Sequence, residues 1–301
     1  MVRAVVLFPP YLPVWRPSPN SLPCGQCGPQ SGIGSLPVRF HFVPRNQPVI
    51  NQAPLSGRIA LVTGGSRGIG RACAEELAQA GADVAINFHS NVSAARETVE
   101  AVERLGRRAF PIQADVSQPS EVDHMVRMVE QTLGPIELLV NNAGVFDYVP
   151  HGELTLEMWQ RTLNVNLTGS FLVTWAVKEG MLARRFGRIV NVTSISALQP
   201  RPLSIAYAAS KAGMMGLTRS TAAAFAGHNI RVNGVAPGLI ETEIIEGVSA
   251  EAVDKIVSAT PLQRIGQPVD VARVVRFLMT DDSEFMTGQT LVVCGGRVMT
   301  P

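Results

Sequence analysis

From Gly57 onward, short apolar runs alternate with longer stretches in which apolar residues recur at helical spacing. Ile59-Ala60-Leu61-Val62 is the first such run. A continuous apolar run of this length, ended by a glycine turn, reads as a strand buried on both faces. The same reading predicts strands near Ile59–Thr63, Asp83–Phe88, Arg108–Gln113, Leu138–Asn141, Arg188–Thr193, Arg231–Ala236 and Thr290–Val293. Helical patterns fill most of the gaps, the first from Arg71 to Ala80. Such alternation predicts an α/β fold, a single doubly wound parallel sheet with helices on both faces. Right-handed crossovers bring the carboxyl ends of the strands to one edge, where ligands bind. Thr63, Asn141, Ser194 and Pro237 each follow a predicted strand and are expected to gather there.

Residues 1–55 lack this pattern. They hold 11 of the 21 prolines, and the first acidic residue of the chain is Glu75. They read as a Pro-rich, disordered and functionally silent extension ahead of a domain spanning 56–301. The apolar opening Ala4 to Phe8 is cut short by Pro9, Pro10 and Pro13, too early for a signal peptide. Scattered Arg3, Arg16, Arg39 and Arg45 without acids resemble an organelle transit peptide, although the prolines oppose an amphipathic helix. A cytoplasmic enzyme is expected, with organelle targeting, a leader or a wrongly assigned start as the alternatives.

Composition changes this picture little. A chain of 301 residues can bury a large core, and no apolar run approaches the ~20 residues of a membrane span. A net charge of +2 gives no global case for nucleic acid. Of the four cysteines, Cys24 and Cys27 form a lone C-x-x-C without a second pair, while Cys73 and Cys294 read as core thiols. No metal site is expected.

The chemistry begins after the first strand, with Thr63-Gly64-Gly65-Ser66-Arg67-Gly68-Ile69-Gly70. Glycines let a backbone approach a pyrophosphate, and a following helix offers its N–H groups and positive dipole end. A glycine-rich turn would explain the same residues without a ligand. Farther along, Tyr207-Ala208-Ala209-Ser210-Lys211 places a phenol and an ammonium four residues apart on one helix face, with Ser194 thirteen residues earlier. An ammonium favours the phenolate, so the pair suits general acid/base work on an oxygen. Alone, that spacing also fits a solvated helix face.

Taken together, the two signatures give the chain a family likeness. It resembles the short-chain dehydrogenase/reductases, and within them the 3-oxoacyl-(acyl-carrier-protein) reductase-like branch, over about residues 56 to 301. The likeness extends to Asp115-Val116, Asn141-Asn142-Ala143-Gly144, Asn164-Val165-Asn166-Leu167-Thr168-Gly169, Gly187 to Ser194, Asn233 to Gly238, Thr287-Gly288-Gln289 and Gly295-Gly296. It implies a Rossmann-type fold and a nicotinamide cofactor held by Gly64, Ser66, Arg67, Gly68, Ile69, Gly70, Asp115, Val116, Asn141, Ala143, Tyr207, Lys211, Pro237, Gly238 and Thr242. Asp115 is expected at the adenine, Asn141 along the cofactor, and Thr242 at the carboxamide and pyrophosphate. The resemblance makes Asn166, Ser194, Tyr207 and Lys211 catalytic: Tyr207 protonates a carbonyl oxygen, Ser194 fixes it, Lys211 lowers the tyrosine pKa and holds the ribose, and Asn166 bends a helix and holds a relay water. Leu239 to Ser258 is expected to form a mobile lid.

The second strand ends Ile86-Asn87-Phe88-His89-Ser90-Asn91 with no carboxylate to hold the ribose hydroxyls of NAD. With Arg67 available for a 2′-phosphate, NADP (NADPH) is expected, and NAD is the alternative. Phe88 marks the position that discriminates. The substrate expected is a small-molecule carbonyl, foremost a 3-oxoacyl thioester, with pocket walls at Phe146, Tyr148, Leu198 and Gln199. An acyl-carrier protein is a candidate partner through Arg184 and Arg185 near the site entrance, but His228 stands where those reductases tend to carry arginine. Coenzyme A thioesters and small ketones stay open, as do alcohol, sugar or steroid oxidation and a non-catalytic NADP-binding sensor. The resemblance also implies a homotetramer through the long helices following Thr155 and Tyr207. No membrane or nucleic-acid partner is expected.

Overall fold

The computed structural model describes residues 53–242 and 250–299. The extension up to residue 52, with Cys24 and Cys27, and residues 243–249 of the expected lid lie outside them. The strands are β1 (Ile59–Val62), β2 (Asp83–Phe88), β3 (Ala109–Gln113), β4 (Leu138–Asn141), β5 (Gly187–Val192), β6 (Ile230–Pro237) and β7 (Thr290–Val293). They form one sheet in the order β3-β2-β1-β4-β5-β6-β7. Every pairing is parallel, with Val62 beside Ile86 on one side and Val140 on the other. This is the Rossmann-type sheet the alternation predicts.

The period-two rule explains the layering. Ala60 and Val62 of β1 enter one core with Cys73, Leu77, Val275 and Leu278, whereas Ile59 and Leu61 enter another with Val122, Met125, Val173 and Val177. Helices α1 (Gly68–Gln79), α2 (Val92–Arg104) and α8 (Pro268–Met279) cover the first face. Helices α3 (Pro119–Thr132), α5 (Gly169–Arg184) and α6 (Ile205–Phe225) cover the second. Helices α4 (Leu156–Leu163) and α7 (Ala250–Ser258) complete the set among the described residues.

Three details refine the sequence reading. Helix α1 begins at Gly68, three residues earlier than the pattern suggests, because Gly68 at φ 53° turns the chain directly into the helix. Between α4 and α5, Asn164–Thr168 form a π turn centred on Asn166, where the resemblance implied a bend. Leu55 is buried in the core and its N–H donates to Ala80 O at 2.8 Å, so the packed body includes at least this residue of the expected extension.

Candidate active site

The glycine loop leaves β1 at the carboxyl edge of the sheet and is braced from both sides. The Thr63 hydroxyl accepts from the N–H groups of Asn142 and Ala143 at 3.0 and 3.1 Å. Asn142 Nδ2 donates to Thr63 O and Gly64 O, each at 3.0 Å. From β2, Asn87 Oδ1 accepts from Gly64 N at 3.2 Å, and Asn87 O from Gly65 N at 2.8 Å. Sequence reasoning assigned neither Asn87 nor Asn142 a role, although both stand in segments it singled out.

Side chains are excluded where the loop is tightest. Gly64 lies at φ 60°, and a Cβ there would come within 2.9 Å of Ala143 Cα. A Cβ on Gly70 would stand 2.1 Å from Gly64 O. Arg67 precedes α1 in extended backbone, and its side chain makes no cap bond to the helix. The first-turn amides of α1 therefore lack a side-chain cap, and the helix dipole adds positive potential there. Thr242 stands over this turn, its methyl 3.1 Å from the position of a Cβ on Gly68. Gly238, after Pro237, packs so closely on Cys294 that a Cβ would meet its Cα at 2.8 Å. A bare, braced loop at a helix N-terminus fits the pyrophosphate of a dinucleotide.

Other expected cofactor residues take more varied places. Ser66 is buried, and its carbonyl accepts from the Thr98 hydroxyl at 3.1 Å. Ile69 packs against the α1 core. Asp115 Oδ1 accepts from Ser117 N and Oγ, each at 2.8 Å, which fixes the turn after β3. Val116 packs beneath Gly169, where a Cβ would approach its Cγ2 to 2.8 Å. The Asn141 side chain does not line the cofactor edge. It is buried and donates to Thr174 Oγ1 at 3.0 Å and Asn191 Oδ1 at 2.9 Å, joining β4, β5 and α5. Phe88 is also buried, and the first exposed residues beyond β2 are His89 and Ser90.

Tyr207 lies in the first turn of α6, half-buried, with Phe146 edge-on to its ring at 4.9 Å. Phe146 in turn meets Tyr148 edge-on at 5.0 Å. Ser194, two residues beyond β5, caps the turn Ile195–Ala197 as a buried hydroxyl that accepts from Ser196 N at 3.0 Å and faces the phenol. Lys211 is buried, one turn along from Tyr207, and its Nζ donates to Val192 O at 2.8 Å. Asn166, at the centre of the π turn, is also fully buried. Its Oδ1 accepts from Val145 N at 2.7 Å, and its Nδ2 donates to Val145 O and Ser210 Oγ, both at 3.0 Å. Ser210 Oγ passes the link to Tyr207 O at 2.7 Å. Gly144 completes the cluster; a Cβ there would stand 3.2 Å from Asn166 Oδ1 and 3.6 Å from Lys211 Nζ.

Burial raises the Tyr207 pKa above the ordinary phenol value, while the Ser194 hydroxyl and the charge of Arg201 pull it down. The Lys211 ammonium stands 5.7 Å from the centre of the phenol ring. It is itself destabilised by burial, its pKa lowered to about 8. Burial likewise pushes the Cys73 thiol up and leaves it inert. Arg201 was not among the residues the sequence singled out, because a cation six positions before the tyrosine has no periodic or motif signal.

Arg184 and Arg185 end α5 just before β5, at the opposite edge of the sheet from Tyr207. Their guanidiniums donate to Ile136 O and Gly227 O, at 2.8 and 2.9 Å. Within this subunit neither arginine borders the site entrance as the sequence reading supposed. A cavity of about 220 Å³ lies instead among Leu239, Ile240, Ile256, Leu262 and Cys294, beside the expected lid.

Residues 64–297 match the family model described as enoyl-(acyl carrier protein) reductase. The chain is 41% identical to a 3-oxoacyl-[acyl-carrier-protein] reductase of Synechocystis sp. over 81% of its own length and 98% of the relative's. It is 35% identical to glucose 1-dehydrogenase 2 of Bacillus subtilis over 82% and 97% of the two chains. The crystal structure of 3-oxoacyl-[acyl-carrier protein] reductase from Brucella melitensis superposes with a TM-score of 0.77 at 38% identity, covering 83% of this chain and 95% of that one.

Proposed function

The chain belongs to the short-chain dehydrogenase/reductase family of oxidoreductases, and from that premise we propose that it reduces a carbonyl to a secondary alcohol with NADPH, foremost in 3-oxoacyl thioesters. The observation that carries this reading is the convergence of Ser194, Tyr207, Lys211 and Asn166 at the same sheet edge as the braced glycine loop. Names of curated relatives support the substrate class; one of them, the glucose dehydrogenase, keeps sugar oxidation as the competing reading.

A bound nicotinamide supplies the hydride. The chain's own groups do the rest. With its pKa raised, Tyr207 keeps its proton at neutral pH and donates it to the carbonyl oxygen. The Ser194 hydroxyl holds that oxygen against the phenol. Lys211, anchored on Val192 O, presents a cation between the phenol and the ribose side of the site. Asn166 acts by position, tying the π turn to the loop at Val145 and to the first turn of α6. Thr63, Asn87 and Asn142 keep the glycine loop open for the pyrophosphate.

NADP is preferred on two grounds: residues 87–91 offer no carboxylate, and Arg67 flanks the loop. An acyl-carrier protein is kept as a partner only through the curated relatives. A homotetramer is supported by the apolar outer face of α5, where Phe171 and Trp175 stack at 4.3 Å and are both exposed. The test is NADPH absorbance followed with acetoacetyl-coenzyme A, small ketones and glucose. Turnover of the thioester is expected; exclusive oxidation of glucose would replace this reading with the competing one.

A further inference from the structure

We propose that Asn191 and Thr218 are positioning residues for carbonyl reduction: their buried hydrogen bond locks α6 on β5 at the register in which Lys211 meets the Val192 carbonyl. The proposal rests on the reading of Tyr207 and Lys211 above and adds to it two buried residues to which that reading gives no part.

Asn191 and Val192 are neighbours on β5, and both hold α6. Asn191 is buried, and its Nδ2 donates to Thr218 Oγ1 at 2.9 Å. From the next residue, the Val192 carbonyl accepts from Lys211 Nζ at 2.8 Å. Thr218 is fully buried and stands seven residues beyond Lys211, on the same face of α6. Its hydroxyl has one proton, which goes to Met214 O at 2.7 Å, so the lone pairs of the oxygen are left for Asn191. The Asn191 amide is fixed from its other side as well. Asn141 lies opposite it in the β4–β5 register and donates from Nδ2 to Asn191 Oδ1 at 2.9 Å. Between these two partners the amide has one orientation.

An apolar pair would fill the same places at less cost. Buried amides and hydroxyls destabilise a core unless each group is matched, and Asn141 Oδ1, at the end of the chain of bonds, has no partner. What the polar pair adds is direction. Small residues, Ala206, Ser210 and Ala222, make up much of the buried face of α6, and such a face lets a helix slide or turn. A hydrogen bond weakens steeply outside a narrow range of distance and angle, so it holds the helix in place. Lys211 needs that hold. Its ammonium touches the Val192 carbonyl and, at 3.6 Å, the Met214 sulfur, and no carboxylate pairs with it among the described residues. The titratable group beside it is the Tyr207 phenol, its ring centre 5.7 Å away on the same helix. A helix displaced on β5 moves both groups together, and a misplacement of about 1 Å can cost about 10²-fold in rate.

The test uses the full chain and three variants. Thr218→Val keeps the shape and removes the acceptor, Thr218→Ser keeps the hydroxyl, and Asn191→Leu combined with Thr218→Val leaves no unpaired donor between the two positions. Asn141 Nδ2 retains Thr174 Oγ1 in all of them. Thr218→Val is expected to lower kcat about tenfold or more on the best thioester or ketone, with KM and NADPH affinity within about twofold. Thr218→Ser should restore kcat. In the double variant the thermal melt should return toward wild type while kcat stays low, a split that a merely structural role would not produce. Position is also read without turnover. The chain holds three lysines, Lys178, Lys211 and Lys255, so the ε-methylene NMR signal of Lys211 can be followed as it titrates. It is expected to titrate at about 8 in the wild type and lower in Thr218→Val, where the ammonium loses its carbonyl. Recovery of kcat together with the melt in the double variant, or a Lys211 titration that does not move, would overturn the proposal. A displaced Lys211 titration in a chain that reduces no compound tested would keep the positioning and remove the reductase reading instead.

Discussion

Lys211 is a buried ammonium whose charge is held by one carbonyl, and this makes the site sensitive to pH. Reduction needs the Tyr207 proton and the Lys211 charge together. Burial raises the first pKa and lowers the second to about 8, so as pH rises the ammonium is lost while the phenol still holds its proton. The rate of reduction is therefore expected to fall as pH passes about 8. Alcohol oxidation needs the phenolate, which forms only above the raised phenol pKa, so it should not climb as pH passes about 8. Measurements of kcat/KM in both directions from about pH 6 to about pH 10 check this; a reduction rate flat across that span would contradict it. The cofactor preference belongs to the same scale. Phe88 is buried and His89 is the first exposed side chain beyond β2, which makes His89 the position to change. His89→Asp is expected to raise the NADPH requirement about tenfold and to help NADH, by repelling the 2′-phosphate and accepting from the ribose. Kinetics with both cofactors measure the ratio, and an unchanged ratio would show that another position reads the phosphate.

Among the elements, the glycine loop has the least room. Gly70→Ala would drive a methyl into Gly64 O, 2.1 Å from an ideal Cβ. The loop must shift, at a cost of about 1–3 kcal/mol, and dinucleotide binding should weaken more than the fold does. NADPH fluorescence titration beside a thermal melt separates the two effects; tight binding by the variant would mean that the loop is not the pyrophosphate cradle. Strands β1 and β4 were legible because each is a short, mostly apolar run buried along its length; β2, β5 and β6 are as buried but carry polar residues, and the edge strands β3 and β7 are only partly buried. The bend at Asn166 was legible only through the family resemblance, because its π form is set by distant partners, Val145 and Ser210, gripping Asn166. Asn141 misled for a related reason. A polar residue ending a strand suggests a ligand edge, but the alternation of faces turns its side chain inward to Asn191 and Thr174.

At the scale of the whole molecule, the sheet and both cores of the described residues are assembled from Leu55 onward. A chain beginning at Asn51 is expected to fold and reduce substrate as the full chain does, measured by circular dichroism and NADPH turnover; an inactive but folded product would mean that the first segment reaches the site. The central claim is that Tyr207 is the proton donor of a carbonyl reductase. It is tested most directly by comparing wild type and Tyr207→Phe on the best substrate of the panel, with NADPH affinity measured alongside. The variant keeps the ring that meets Phe146 and loses only the hydroxyl. The account predicts unchanged NADPH binding and a kcat lower by ~10²–10⁴. Near wild-type turnover by Tyr207→Phe would contradict it.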